Sequence, residues 1–156
     1  MTPLFKKLNY KDQSVILVVN SPESFDAELE AMSASAKIIR DKNHLEKIDF
    51  AIIFATKQAE VDEIIQHIAP KLEGDATLWF AYPKGSSKKY ICDFNRDTGW
   101  GKLGEYDLES VRQIAIDKDW SALRFRKLRY IKKLTRNEGL ALSEKGKRRT
   151  KDSAGK

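Results

Sequence analysis

Residues 14 to 25 read SVILVVNSPESF, and their order sets the fold class. Val15 to Val19 is an unbroken apolar run rich in β-branched residues, with none of the polar alternation of a strand that has one wet face. Such a run suits a strand covered on both sides, as in a parallel sheet. Ser21-Pro22-Glu23 then reads as a helix start: a serine N-cap, proline in the first helical position, and an acid near the positive end of the helix dipole. Phe25, Leu29 and Met32 follow at i, i+4 and i+7, one apolar helix face.

The same alternation recurs downstream. AKIIR at 36 to 40 predicts a short second strand, and DFAIIFAT at 49 to 56 repeats the apolar run of the first. Thr56 is placed as the N-cap of a helix through Leu72, with Val61, Ile64, Ile65, Ile68 and Leu72 as its buried stripe and Glu73-Gly74-Asp75 as its end. Thr77 to Ala81 is the fourth strand. Strands alternating with helices as apolar runs indicate βαβ units, so the expected fold is an α/β, Rossmann-like three-layer sandwich with a mostly parallel sheet. Ser110 to Ile116 and Trp120 to Arg126, joined by the polar turn Asp117-Lys118-Asp119, are expected to form a C-terminal antiparallel hairpin along one edge. From Lys84 to Gly104 the pattern weakens: Tyr90, Cys92 and Phe94 alternate like a strand, and Trp100 and Leu103 suit one helical turn among Gly99, Gly101 and Gly104. At the N-terminus, Leu4, Phe5 and Leu8 are the residues by which a lead-in segment would dock.

Composition sets the outer bounds. With 156 residues the chain is long enough for one core that buries roughly 70% of the unfolded surface. Charge is unevenly spread: residues 126 to 156 hold 12 Lys or Arg against 3 Asp or Glu, which leaves 17 against 20 in residues 1 to 125. The expected organisation is a single α/β domain over residues 1 to 127 and a basic, largely disordered tail over 128 to 156. The single cysteine, Cys92, has no intramolecular partner. With no N-terminal apolar signal run and no apolar stretch near the roughly 20 residues of a membrane span, that points to a reducing cytoplasm.

Three separated motifs also carry a resemblance. AYPKGSSK at 81 to 88, NRD at 95 to 97 with Trp100 nearby, and AIDKDWSALRFR at 115 to 126 together resemble a family of small uncharacterised bacterial proteins classed as a domain of unknown function. The likeness runs from the first strand to Arg126 and leaves out the basic tail. It implies a small cytoplasmic bacterial domain and transfers no activity or cofactor to any residue.

In open α/β sheets, ligands bind outside the carboxyl ends of the strands. A parallel arrangement puts three loops there: one at Ser21, one at Thr56 and one from Tyr82 to Lys89. Ser21 at a helix start, with Lys84, Gly85, Ser86, Ser87 and Lys88 in the third loop, would offer amides, hydroxyls and positive charge to a phosphate or carboxylate. The loop has no G-x-G-x-x-G after the first strand, and its lysine precedes its glycine, so it is not a P-loop; a solvated surface turn is the competing reading. Asn95, Arg96 and Asp97, with Trp100 beside them, either add a guanidinium fork to that site or form a helix cap over a core tryptophan. Trp120 shares a strand face with Ala122, Arg124 and Arg126, and either stacks on a ligand or closes the core edge under arginine stems; the latter is favoured. The function expected is binding of an anionic small ligand at the carboxyl end of the sheet, with polyanion or nucleic-acid binding through the tail as the alternative. No metal ligand set, catalytic group or nucleotide fingerprint is apparent.

Overall fold

The computed structural model describes residues 1–131. Val15–Val19 is the first strand, β1, and four of its five residues are buried. It pairs in parallel with β2 (Lys37–Ile39) on one side and β3 (Ile48–Phe54) on the other. β4 (Leu72–Pro83) continues the parallel set beside β3. The chain then forms a hairpin of β5 (Leu108–Ala115) and β6 (Trp120–Lys127), and β6, its second strand, pairs antiparallel to β4. The order is β2-β1-β3-β4-β6-β5, so β5 is the edge and only β6 runs against the rest. The Rossmann-like α/β expectation, antiparallel hairpin included, holds.

Strand alternation sends side chains to two layers. On the first face, Leu17, Val19, Ala51, Ile53, Phe80 and Phe125 pack under α3 (Gln58–Ile68), whose Val61, Ile64, Ile65 and Ile68 form the stripe read from the sequence, and beside the single turn α4 (Gly101–Gly104). On the second face, Ile16, Val18, Phe50, Ile52, Trp79 and Ala81 meet α1 (Pro3–Lys7) and α2 (Asp26–Met32). Thr2 caps α1 by accepting from the Phe5 amide at 3.1 Å, and Phe5 and Leu8 dock the N-terminus as expected, each fully buried.

Several boundaries differ from the sequence reading, each for a local reason. Ser21 is not an N-cap: Asn20 turns left-handed at φ 58 after β1, Pro22 stays extended, and a 3-10 turn over Glu23–Phe25 precedes α2. The Ser21 hydroxyl instead accepts from Arg40 Nη1 at 3.0 Å. Thr56 is likewise not a cap, since α3 starts one residue further on, after Lys57. Leu72 belongs to β4 rather than α3: the helix stops at Ile68, and a 3-10 turn with Pro70 over Ala69–Lys71 follows. Leu72 still joins the cluster under the helix, which is why the helical spacing included it. Gly74, at φ +54, lies inside β4 where the pairing jumps from Ile48↔Leu72 to Phe50↔Thr77, a bulge rather than a helix end. Tyr90, Cys92 and Phe94 form no strand. Of the predicted tail, residues 132 to 156 lie outside the described residues. Among the described residues no helix is long and apolar enough to cross a membrane.

Trp79 ties the second layer to the sheet. It is fully buried, and its Nε1 donates to the carbonyl of Leu8 at 2.8 Å. Trp79→Phe strands that carbonyl and shrinks the ring, so urea denaturation is expected to show a loss of about 1–3 kcal/mol. An unchanged midpoint would mean the contact does not hold α1.

Candidate ligand site at the carboxyl edge of the sheet

β1, β3 and β4 end together at Val19, Phe54 and Pro83. The chain leaves β1 towards β2 and crosses back to β3, so the strand order reverses between β1 and β3, the position where open α/β sheets hold their ligands. The segment after β4 crosses this edge from one face to the other. Its first turn is pinned by Asp119: the Lys84 amide donates to the Asp119 carbonyl at 2.8 Å, and the Ser87 hydroxyl to Asp119 Oδ1 at 2.9 Å. That hydroxyl also accepts from the amides of Lys89 and Tyr90, each at 3.2 Å. Tyr90 packs on Trp120 on the second face, whereas Phe94 is already in the first-face core. Between them, Ile91 is 92% exposed.

The chain's own carboxylates occupy the start of α3. Glu60 Oε1 accepts from the amides of Thr56 and Lys57, each at 3.0 Å, and Asp93 Oδ1 takes the Gln58 amide at 2.7 Å. An incoming anion therefore finds these three donors taken. Ser87, proposed from sequence as a ligand hydroxyl, is committed to the turn. Gly85 is open, with nothing within 4 Å of a Cβ placed there, and Ser86, Lys88 and Lys89 are exposed beside a half-buried Lys84.

The other sequence candidates do not converge on this loop. Ser21 follows β1, which β3 separates from β4, so their strand ends stand about 10 Å apart. Arg96 lies on the first face, with Nε 3.4 Å from Asp97 Oδ1 and Nη1 3.4 Å from Gln113 Oε1; Gln113 in turn donates to the Tyr82 hydroxyl. Asn95 Oδ1 accepts the amides of Asp97 and Thr98, closing a turn. Trp100 fastens it, donating Nε1 to the carbonyls of Asn95 and Arg96 at 2.9 and 3.0 Å, while its ring packs against Phe80, Phe94 and Phe125 at 2% exposure. Asn95, Asp97 and Trp100 thus build a turn over the core, with the Trp100 ring buried. Gly99 is required there: its φ is +92, and a Cβ would stand 2.6 Å from that of Phe94.

Sequence reasoning missed a row of rings under the edge on the second face. Centroids run Phe25 to Phe54 at 4.9 Å, Phe54 to Trp120 at 5.1 Å and Trp120 to Tyr90 at 4.9 Å. Trp120 is 3% exposed, so it closes the core edge, as the favoured sequence reading had it, and shows no free face. Its Nε1, however, is buried without a hydrogen-bond partner. Burying an indole N–H unpaired costs about 1–3 kcal/mol. Spacing could not reveal the row, because its four rings come from four separate elements. Arg124 and Arg126 share the Trp120 face, as the period of two required.

Two titratable groups at this edge are shifted by burial. Burial pushes the Tyr82 hydroxyl up, and burial likewise raises the Cys92 thiol, only partly offset by the Phe94 amide. A raised thiol is poorer in thiolate at neutral pH, the reverse of an activated nucleophile. Among the described residues no group of three or more His, Cys, Asp or Glu is placed to hold a metal ion.

No protein-family model matches the chain, and no curated protein matches it. Solved structures do. A SAM-dependent methyltransferase from Aquifex aeolicus matches at 11% identity and TM-score 0.53, over 80% of this chain and 87% of its own. The N-methyltransferase NodS from Bradyrhizobium japonicum WM9 matches at 13% identity and TM-score 0.50, over 80% of this chain and 91% of its own. At these identities the likeness is one of fold, a Rossmann-like α/β sheet.

Because burial raises the Cys92 thiol, its alkylation by iodoacetamide is expected to climb with pH through an inflection above that of free cysteine, roughly 8.5. An inflection below the free-thiol value would contradict the burial account and reopen Cys92 as a nucleophile.

Proposed function

We propose that the chain binds a small ligand carrying a planar ring and an anionic group at the carboxyl edge of the sheet, above Phe54 and Trp120. The observation that carries this reading is the partnerless Trp120 Nε1 in the aromatic row, between Phe54 and Tyr90 and beside the loop that brings Lys84 and Lys88. In this account Tyr90 swings aside, the ligand ring takes its place against the aromatic row, and an acceptor atom on the ligand receives the indole proton. Lys84 and Lys88 stand over the anionic group. Satisfying the indole recovers part of the cost of burying it unpaired, so binding favours a ligand with an acceptor over an isosteric one without it. Ser21 and Arg96 have no part in this site, which is smaller than the sequence suggested.

A ligand present at about 100 times its Kd stabilises the native state by about 2.7 kcal/mol, enough to raise Tm by several degrees in a thermal-shift assay. A panel of nucleotides and phosphometabolites is expected to contain a compound with that effect. Trp120→Phe, which keeps a ring and removes the N–H, and Lys84→Ala are each expected to reduce the shift, while Ser21→Ala leaves it unchanged. No shift with any compound, or a full shift in Trp120→Phe, would sink the proposal.

A further inference from the structure

The far end of the same sheet face carries a second charged feature, independent of the ligand site. β5 and β6 pair Ser110 with Phe125 and then Arg112 with Arg124, so one extra residue, Val111, is inserted in β5. Without that bulge, Arg112 would stand opposite Leu123 and face the first layer. With it, Arg112 faces Arg124 directly across the strands, on the side that also holds Arg126. Like charges directly opposite each other destabilise a sheet.

Two carboxylates lie near the group, both at its Arg126 end: Glu109, fully buried, stands opposite Arg126 in the register, and Asp75 approaches from β4. Asp75, in the β4 bulge, grips Arg126 with both oxygens, at 3.1 Å from Nε and 2.6 Å from Nη2. Arg112 has no hydrogen bond or ion pair with any described residue and is exposed. Arg124 is half-buried, and its Nε is enclosed without a hydrogen-bond partner. Burial, with Arg126 and Arg112 close by, pushes its guanidinium downward, while Asp75 acts the other way. Among the described residues, Arg112 and Arg124 therefore face each other with no carboxylate hydrogen-bonded or ion-paired to either.

We propose that this arginine face of β5 and β6 binds the phosphate backbone of a nucleic acid, with Arg112 and Arg124 as the phosphate ligands and Arg126 held in position by Asp75. Planar guanidinium forks match phosphate oxygens. Composition also favours a polyanion as the partner. β6 ends at Lys127, and the sequence beyond the described residues, 132 to 156, adds 9 Lys or Arg against 3 Asp or Glu. A nucleic acid, with a charge at every phosphate, suits both the paired arginines and this basic excess. Contacts of this kind position a backbone without reading bases, so binding is sequence-independent and salt-sensitive.

The test uses the full chain and a labelled 30-nucleotide DNA of mixed sequence, single-stranded and duplex, with affinity read by fluorescence anisotropy over a salt series. Arg112→Gln, on an exposed edge strand, is expected to keep the fold intact, which circular dichroism checks; Arg112→Lys retains the charge. Arg112→Gln is expected to weaken binding by about three- to tenfold and to flatten the slope of log K against log salt by about one phosphate contact, with partial recovery in Arg112→Lys. Arg112→Gln/Arg124→Gln weakens it further. Neutralising Lys145, Lys147, Arg148 and Arg149 in a separate full-length variant isolates the terminal contribution. The proposal is overturned if the DNA does not bind, if binding and slope are unchanged in the arginine variants and fall only in the terminal one, or if those variants lose heparin but not DNA.

Discussion

Everything in this molecule follows from the double burial of its central strands. β1, β3 and β4 are covered by helices on one face and by helices and the N-terminal segment on the other, so their side chains are spent on packing. Polar chemistry is left with the strand ends and the uncovered edge. That constraint explains why the aromatic row sits at the carboxyl edge and why the arginines sit on the outer hairpin. It also explains the long β4: carrying the strand from Leu72 to Pro83 spans the whole layer and delivers the loop at Lys84 to the mouth.

The mouth is managed by the chain's own groups. Asp93 and Glu60 hold the first amides of α3, and Asp119, from the hairpin turn, holds the loop after β4. Glu60 closes the start of its own helix, whereas the Asp93 and Asp119 contacts tie the segment from Lys84 to Asp93 to α3 at one end and to the hairpin turn at the other, so it lies strapped across the strand ends. A helix N-terminus neutralised in this way does not attract phosphate, which shifts the weight of the ligand site to the second face. There, at the carboxyl edge, the Trp120 indole nitrogen is buried without a hydrogen-bond partner.

The fold was legible because its signals are local. SVILVV announced a doubly buried strand, the stripe at Val61, Ile64, Ile65 and Ile68 announced α3, and Asp117-Lys118-Asp119 announced the hairpin turn. Boundaries failed where tertiary packing overrode local chemistry: Leu72 kept helical spacing while starting a strand, and Ser21 looked like a cap until a left-handed Asn20 turned the chain. The site was less legible because contact across the sheet has no sequence period. Ser21, the Lys84 loop and Arg96 were expected to meet if their loops shared one end, but the end is wide and has two faces. Arg96 lies on the first, Tyr90 and Trp120 on the second, and Ser21 beyond β3. The bulge that sets Arg112 against Arg124 was invisible for the same reason, since a single inserted residue shifts the facing of a side chain without changing composition.

The central claim is that the Trp120 N–H is the hydrogen-bond donor of a ligand site. It is tested most directly by the indole region of a ¹H–¹⁵N correlation spectrum. Three indole signals are expected, and Trp120→Phe identifies its own by deletion. Trp79 and Trp100 already donate to carbonyls within the protein. A compound that stabilises the chain should move the Trp120 signal downfield and leave the other two nearly still. If stabilising compounds leave it in place, or shift only Trp79 or Trp100, the site is elsewhere and the account is wrong.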